Sequence, residues 1–593
     1  MADTYFDTDD ITKEYDRRIV MRILSYLKPY RVLVSITIAS LVISTLGEIA
    51  VPLLLQRIID DAILAKNNSF LAQGGILYLV LLIFVFVFTF IQTWTSNLIT
   101  QAVMKDMRLG LFKKTISQST AYLSRHPVGR IVTRLTGDVQ TMDEFFTTVL
   151  VAFLKDFAIM AGTIAAMFVL SVQMAGLVLL TLPPVLAVTL ISRIKARDAF
   201  RRQRTASSKV FAYLAERLAG MQVVQLFRQE KKSIKEFSES NQELMNANLK
   251  EMYVFATFRP MVEWFSTLTM AVVIVAGSKM ILSLSISLGV LIAFISLVQM
   301  FFHPVTDIAE KYTMLQSAMA GGEKVFMLMD TNEHIPDAGK TEINESLGHV
   351  EFDNVHFAYK EGEKVLKGLT FSVKKGEMAA IVGYTGAGKT TIINILARLW
   401  DIDSGEIRLD GIPVKDIPLA QLRRCIMPVM QDVNLFSGTI EENISLGLQL
   451  PQEKIIEAAK AVHAHEFISR LPEGYNTRLS ERAANISTGQ RQLISFARVI
   501  AHNPCVVILD EATSSIDTET EHLIQVGMKK VLAERTSFVI AHRLSTIKNA
   551  DKIMVLSGGR LAEKGSHEEL ISRGGLYAKL YQLQYKNEEN HES

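Results

Sequence analysis

The chain has 593 residues, 49% of them hydrophobic, and a formal net charge of only +2. That length exceeds what one core supports, so two or more domains are expected, and the near-neutral balance argues against a nucleic-acid partner. The two cysteines, Cys425 and Cys505, have no paired-ligand spacing, which implies neither a disulfide framework nor a metal site and fits a reducing cytosol.

Residues 1–10 are acidic and lack the basic-then-apolar pattern of a secretion signal, so the start of the chain is expected to stay cytoplasmic. Residues 15–30 mix Arg17, Arg18 and Arg22 with Ile19, Val20, Ile23 and Leu24. That is the composition of a short amphipathic helix lying along the inner membrane surface.

A bilayer core requires about 20 mostly apolar residues per helix. Residues 71–104 contain no Lys, Arg, Asp or Glu, and neither do residues 157–192. The second run holds the end of one span and the whole of another, turned near Ser171, Val172 and Gln173. A first span fits 32–55, the third is counted from Phe145, and two more fit 254–278 and 281–306, giving six. Residues 105–134 hold seven Lys/Arg and residues 193–235 hold twelve, whereas the opposite loops hold few, Lys66 and Lys279 among them. The basic loops are therefore expected to face the cytoplasm, with both termini inside.

Those basic loops are helical in pattern, so the spans are expected to continue into the cytosol as rods joined by short turns. Two turns, at 124–130 and 211–216, are candidates for docking onto the soluble part of the chain. Ionisable groups inside the spans are Glu48, the neighbours Lys155 and Asp156, Arg259 with Glu263, and His303 with Asp307. Charge in hydrocarbon is costly unless it faces a cavity or a partner. Arg259 reads as the partner of Glu263 at the membrane edge, while Glu48, and Glu263 beside Trp264, read as candidate residues of a polar substrate cavity.

From residue 348 onward short β runs, turns and helices alternate, as in a nucleotide-binding α/β domain. The apolar run 378–382 is followed by Gly383-Tyr384-Thr385-Gly386-Ala387-Gly388-Lys389-Thr390-Thr391, a complete phosphate cradle. Its glycines let backbone N–H groups close around a phosphate, Lys389 reaches the β/γ oxygens, and Thr390 is placed to hold Mg²⁺ at the start of a helix. A mere helix-capping turn would not need Lys-Thr in register after the last glycine. Val506-Val507-Ile508-Leu509-Asp510-Glu511 is a buried strand ending in two carboxylates. Asp510 is positioned to hold Mg²⁺ through water, and Glu511 to polarise the water that attacks the γ-phosphate.

With these motifs and those that follow, the chain resembles the ATP-binding cassette (ABC) exporters of the bacterial multidrug type along essentially its whole length. Tyr359 is similar to the aromatic residue that stacks on adenine, and Gln431 to the glutamine that senses Mg²⁺ beside the membrane-domain contact. Ser487-Thr488-Gly489-Gln490 resembles the signature motif, Ser514-Ser515-Ile516-Asp517 the D-loop, and His542 the switch histidine at the γ-phosphate. The resemblance implies an all-α six-helix membrane domain, residues 1–320, a linker, 321–347, an α/β P-loop nucleotide-binding domain, 348–585, and a polar tail, 586–593. It also implies ATP and Mg²⁺ as ligands and a dimer sandwiching two ATP molecules. Each would lie between one chain's phosphate loop and the other's Ser487, Gly489, Gln490 and Asp517, with closure switching the cavity from inward to outward.

One departure carries information. The family consensus at the signature has glycine third, where this chain has Thr488, whose β-branched bulk and restricted φ should weaken the sandwich site it completes. Lys389, Asp510, Glu511 and His542 are intact, so the chain resembles the catalytically complete subunit of a heterodimer whose partner has a consensus signature and a defective acid. A homodimeric drug or lipid flippase is the alternative, and an ATP-gated channel or regulatory subunit is a rival from another class. Intact Glu511 and the absence of a long regulatory insertion favour turnover and export of amphipathic drugs or lipids.

Overall fold

The computed structural model describes residues 17–64, 68–343, 347–360, 362–510, 518–540 and 544–584. Contacts divide the chain into two units, Met1–Ile116 with Pro127–Thr331, and Ser117–His126 with Asn332–Ser593.

Among the described residues, the first unit holds six helices long and apolar enough to cross a membrane: Lys28–Ile63, Asn68–Ile116, Val128–Leu170, Val172–Ala219, Glu230–Leu282 and Leu288–Thr306. A nine-residue amphipathic helix, Arg17–Ser25, precedes them. The sixth span is central. Its Phe294, Leu297 and Val298 are fully buried and share one core with Ile49 of the first span, Met167 of the third and Phe258 and Val262 of the fifth. The second span instead exposes Leu77, Val80, Ile83, Phe86 and Phe90. A helix apolar on every side needs lipid or another protein surface around it.

Three boundaries differ from the sequence expectation. The fifth helix runs to Leu282 and the sixth begins at Leu288, not at 281, because Leu284 turns the chain with φ of 57° and Ser287 caps the new helix by accepting from Val290 N–H at 3.2 Å. Asp60, in the last turns of the first helix, completes that start by accepting from Gly289 N–H at 2.9 Å. Residues 211–216 are not a turn but lie inside a helix that continues to Ala219, and the reversal falls at Gly220 and the short helix Met221–Leu226. Nothing in 211–216 breaks a helix, and Tyr213 there donates to Ser233 O at 2.9 Å, pinning the outgoing rod to the returning one. Residues 321–330, expected in the linker, are the last turns of a helix ending at Asp330. Gly321 serves close approach: a Cβ there would collide with the Thr141 hydroxyl and the Asp138 carbonyl. The other expected turn, 124–130, breaks at His126–Pro127 between the helices Thr120–Arg125 and Val128–Thr133.

The second unit is built on a six-stranded sheet in the order Arg560–Gly565, Lys552–Ser557, Met378–Gly383, Thr536–Ile540, Val506–Asp510, Ile426–Val429. All neighbours are parallel except the first pair. Parallel strands covered on both faces read as continuous apolar runs. Their side chains alternate between two cores: Ala380, Val382, Val507, Leu509 and Val539 enter one, while Ala379, Ile381, Val506, Ile508 and Phe538 enter the other. A second, antiparallel sheet orders Lys364–Val373, Val350–Ala358, Ser404–Leu409 and Ile412–Pro413.

Candidate functional site

Register gathers the sequence motifs at one edge. Ile381 and Asp510 both pair with Ile540 of the strand between them, and Val429 pairs with Leu509. The phosphate loop after Val382, Asp510 and Gln431 therefore all stand at the carboxyl end of the sheet, where open α/β sheets bind ligands. Gln431 itself is exposed, two residues beyond its strand. Glu511, Asp517 and His542 lie outside the described residues.

The cradle is a strand, a turn and a helix, Lys389–Leu396. Gly388 is its N-cap with φ of 101°, a left-handed backbone that L side chains resist, and a Cβ there would sit 2.8 Å from Leu366. At Gly383 a Cβ would meet Leu556 O at 2.5 Å, and at Gly386 it would meet open space. Ala387 is buried and its N–H closes the turn onto Tyr384 O at 3.1 Å, while Thr385, Gly386 and Thr390 are exposed. Lys389 folds back over the turn, donating to Gly383 O at 2.7 Å and Tyr384 O at 3.3 Å. Burial pushes its ammonium below the ordinary lysine value, and the charge of Asp510 pulls it back up. The cradle thus fits a phosphate: bare backbone at the turn, first-turn N–H groups without helical acceptors, and one partly desolvated cation held over the turn by its carbonyls.

Thr391 differs from its sequence reading. Its side chain is 4% exposed and its hydroxyl lies 3.2 Å from the Tyr359 hydroxyl, so it supports Tyr359 instead of facing the cradle. Asn394 donates to the same hydroxyl at 3.1 Å. Tyr359 also meets Trp400 edge to face at 4.8 Å. Trp400 and Asn394 were not singled out by sequence; no spacing rule joins residues so far apart, and only the fold stands them around the Tyr359 ring.

The signature turn opens the helix Thr488–His502. Ser487 and Gln490 form a reciprocal capping box, Ser487 Oγ accepting from Gln490 N–H at 3.2 Å and Gln490 Oε1 accepting from Ser487 N–H at 3.0 Å. Gly489 is buried, whereas Ser487 and Thr488 are exposed. Thr488 is an ordinary first helical residue, so restriction of φ costs nothing there; what it adds is bulk and an acceptor for Arg491 at 2.9 Å. At the other end of the helix Arg498 donates to Asn443 O and the His502 ring pairs with Ser445 O, both at 2.9 Å. These side chains satisfy the last carbonyls of the helix Ile440–Ser445.

Among the intramembrane charges, Lys155 and Asp156 do not pair with each other. Lys155 donates to Glu48 at 2.8 Å and Asp156 accepts from Lys311 at 2.6 Å, tying the third span to the first and to the helix that continues the sixth. Glu48, a candidate cavity residue, is thus paired with Lys155. Glu263 lies 3.5 Å from Arg259, as anticipated, and both it and Trp264 are exposed on the fifth span. A cavity of about 220 Å³ opens elsewhere in this unit, lined by Leu27, Thr37, Leu41, Ser96, Thr100 and Phe146 among others, and none of the three candidate residues borders it.

Comparison with known proteins agrees with these two units. Residues 34–305 match the ABC transporter transmembrane region and residues 366–514 match the ABC transporter family. The uncharacterized ABC transporter ATP-binding protein YknV of Bacillus subtilis is 37% identical, covering 98% of this chain and 97% of its own. The ATP-dependent lipid A-core flippase of Syntrophus aciditrophicus is 32% identical over 96% of this chain and 95% of its own. The probable multidrug resistance ABC transporter YheH of Bacillus subtilis is 36% identical over 86% of this chain and 76% of its own. This chain belongs to the ABC transporter family: a membrane region fused to an ATPase domain. It is an ATP-hydrolysing transporter, and its relatives include exporters.

Proposed function

We propose that this protein drives amphipathic drugs or lipids out across the cytoplasmic membrane by alternating access, as one half of a dimer with a different half-transporter. The observation that carries this reading is the fusion, in one chain, of six apolar spans to a phosphate cradle that leaves its sheet at the same end as Asp510. The multidrug and lipid A-core transport named for two relatives supports the substrate class. Crowding of Lys/Arg at 105–134 and 193–235 supports cytoplasmic termini.

Tyr359 stacks on the base, the cradle's N–H groups and Lys389 hold the phosphates, and Glu511 orients the attacking water. Thr390 and Asp510 would hold Mg²⁺, which neutralises phosphate charge when bound, with Gln431 next to it and His542 against the γ-phosphate. Ser487, Gly489, Gln490 and Asp517 complete the partner's site. The tips that carry closure to the spans are the His126–Pro127 break and 221–227, where Val223, Leu226 and Phe227 stand exposed.

One feature supports a different second polypeptide: the bulk of Thr488 in a site that consensus signatures keep clear. Expressing the chain alone, with its mass measured in detergent and its ATPase compared before and after Thr488→Gly, tests this. A heterodimer predicts little activity alone and only a modest change from the substitution in the complex. A stable, fully active dimer of this chain alone, accelerated by Thr488→Gly, would establish the homodimer instead.

A further inference from the structure

The fold brings together the chain's only two cysteines, Cys425 and Cys505, which lie 80 residues apart. Cys425 immediately precedes the strand Ile426–Val429, and Cys505 immediately precedes Val506–Asp510. Those strands are parallel neighbours whose first residues, Ile426 and Val506, are in register. Adjacent strands run about 4.8 Å apart, within the range of about 4.4–6.8 Å between Cα atoms that a disulfide requires. The Cys505 thiol already points across the gap, donating to Cys425 O at 3.2 Å. Both residues are partly exposed, at the rim of the core beneath the sheet, so a small reagent can reach them.

We propose that Cys425 and Cys505 are a reversible redox pair, reduced in this structure and oxidised to an intramolecular disulfide by low-molecular-weight disulfides such as oxidised glutathione. One cysteine, losing its proton to water, attacks a sulfur of the reagent, forming a mixed disulfide and expelling one thiolate, which is then protonated. The second cysteine attacks the protein sulfur of that mixed disulfide, expelling the other thiolate. Two protein thiols are oxidised, one reagent disulfide is reduced to two thiols, and the protons balance. The bond would close a covalent ring around Gln431 and the Ser487–Gln490 turn, stapling the two strands at the ends opposite Asp510. In a reducing compartment such a pair stays open, and it closes under oxidative load.

The test uses the full chain, purified reduced and incubated with oxidised glutathione. Expected are loss of both alkylatable thiols, a mass lower by two hydrogen atoms, one cross-linked peptide pair containing Cys425 and Cys505, and full reversal by dithiothreitol. Cys425→Ser and Cys505→Ser should each stop at a single glutathione adduct, with the intact mass raised accordingly. Two glutathiones retained on the native chain, a chain-to-chain disulfide on non-reducing gels, or thiols that stay alkylatable throughout would each overturn the proposal.

Discussion

Tyr359 shows how much of a single residue's role depends on neighbours invisible in the motif. Thr391 and Asn394 fix its hydroxyl and Trp400 stands against its ring, so the face left exposed is held in one orientation before any nucleotide arrives. Base–aromatic stacking is worth about 1–3 kcal/mol. Tyr359→Ala should therefore weaken ATP binding about 5- to 150-fold with little change in maximal turnover, read by nucleotide titration and steady-state ATPase. Unchanged affinity would remove Tyr359 from the base site. Adjacent charges give a second lesson. Residues i and i+1 on a helix point in different directions, which is why Lys155 and Asp156 each find a partner on another helix. Asp156 and Lys311 are both only 13% exposed, so removing Lys311 leaves Asp156 buried without this cation. Lys311→Leu alone should cost about 3–5 kcal/mol, whereas adding Asp156→Leu to it should recover most of that loss. Unfolding in mixed micelles measures the cycle.

At the scale of elements, the helix Thr488–His502 is anchored at its far end by Arg498 and His502. Burial lowers Arg498 to about 10, still cationic at neutral pH. Because Ser445 O can only accept, the His502 imidazole carries its proton on the nitrogen facing it. Burial holds this histidine below its ordinary 6.5, an effect larger than the opposing pull of the Ser445 carbonyl. The unfolded chain thus binds a proton near 6.5 that the folded chain refuses. The stability tied to the neutral ring is present above that pH and lost as pH falls below it through the folded value. His502→Gln, which keeps a donor but does not titrate, should flatten the decline in thermal stability of the nucleotide unit between about pH 7.5 and pH 5.5. An equally steep decline in the variant would assign it to other groups.

Local spacing made the turn-and-helix of the cradle, the signature cap and the apolar strand ending at Asp510 legible, because each is set within a few residues by turn, capping and strand chemistry. Helix ends were less legible. Serines at 283, 285 and 287 did not announce which of them would cap, and Gly321 reads alike whether it breaks a helix or lets two helices touch. Least legible were meetings across the fold: Trp400 with Tyr359, Lys311 with Asp156, Cys505 with Cys425. Register and packing decide those, and neither is written in spacing.

For the whole molecule, the claim is that hydrolysis at the sheet edge moves a substrate across the spans, and conformational closure is what links the two. The direct measurement is ATP-dependent accumulation of a fluorescent amphipath or labelled phospholipid in proteoliposomes holding the purified transporter, alone and with the proposed second half-transporter. Transport should require ATP, disappear in Lys389→Ala through lost nucleotide binding, and fall by about 100-fold or more in Glu511→Gln with ATP still bound. ATP hydrolysis without any accumulation, or an ATP-gated ion current in its place, would contradict the account.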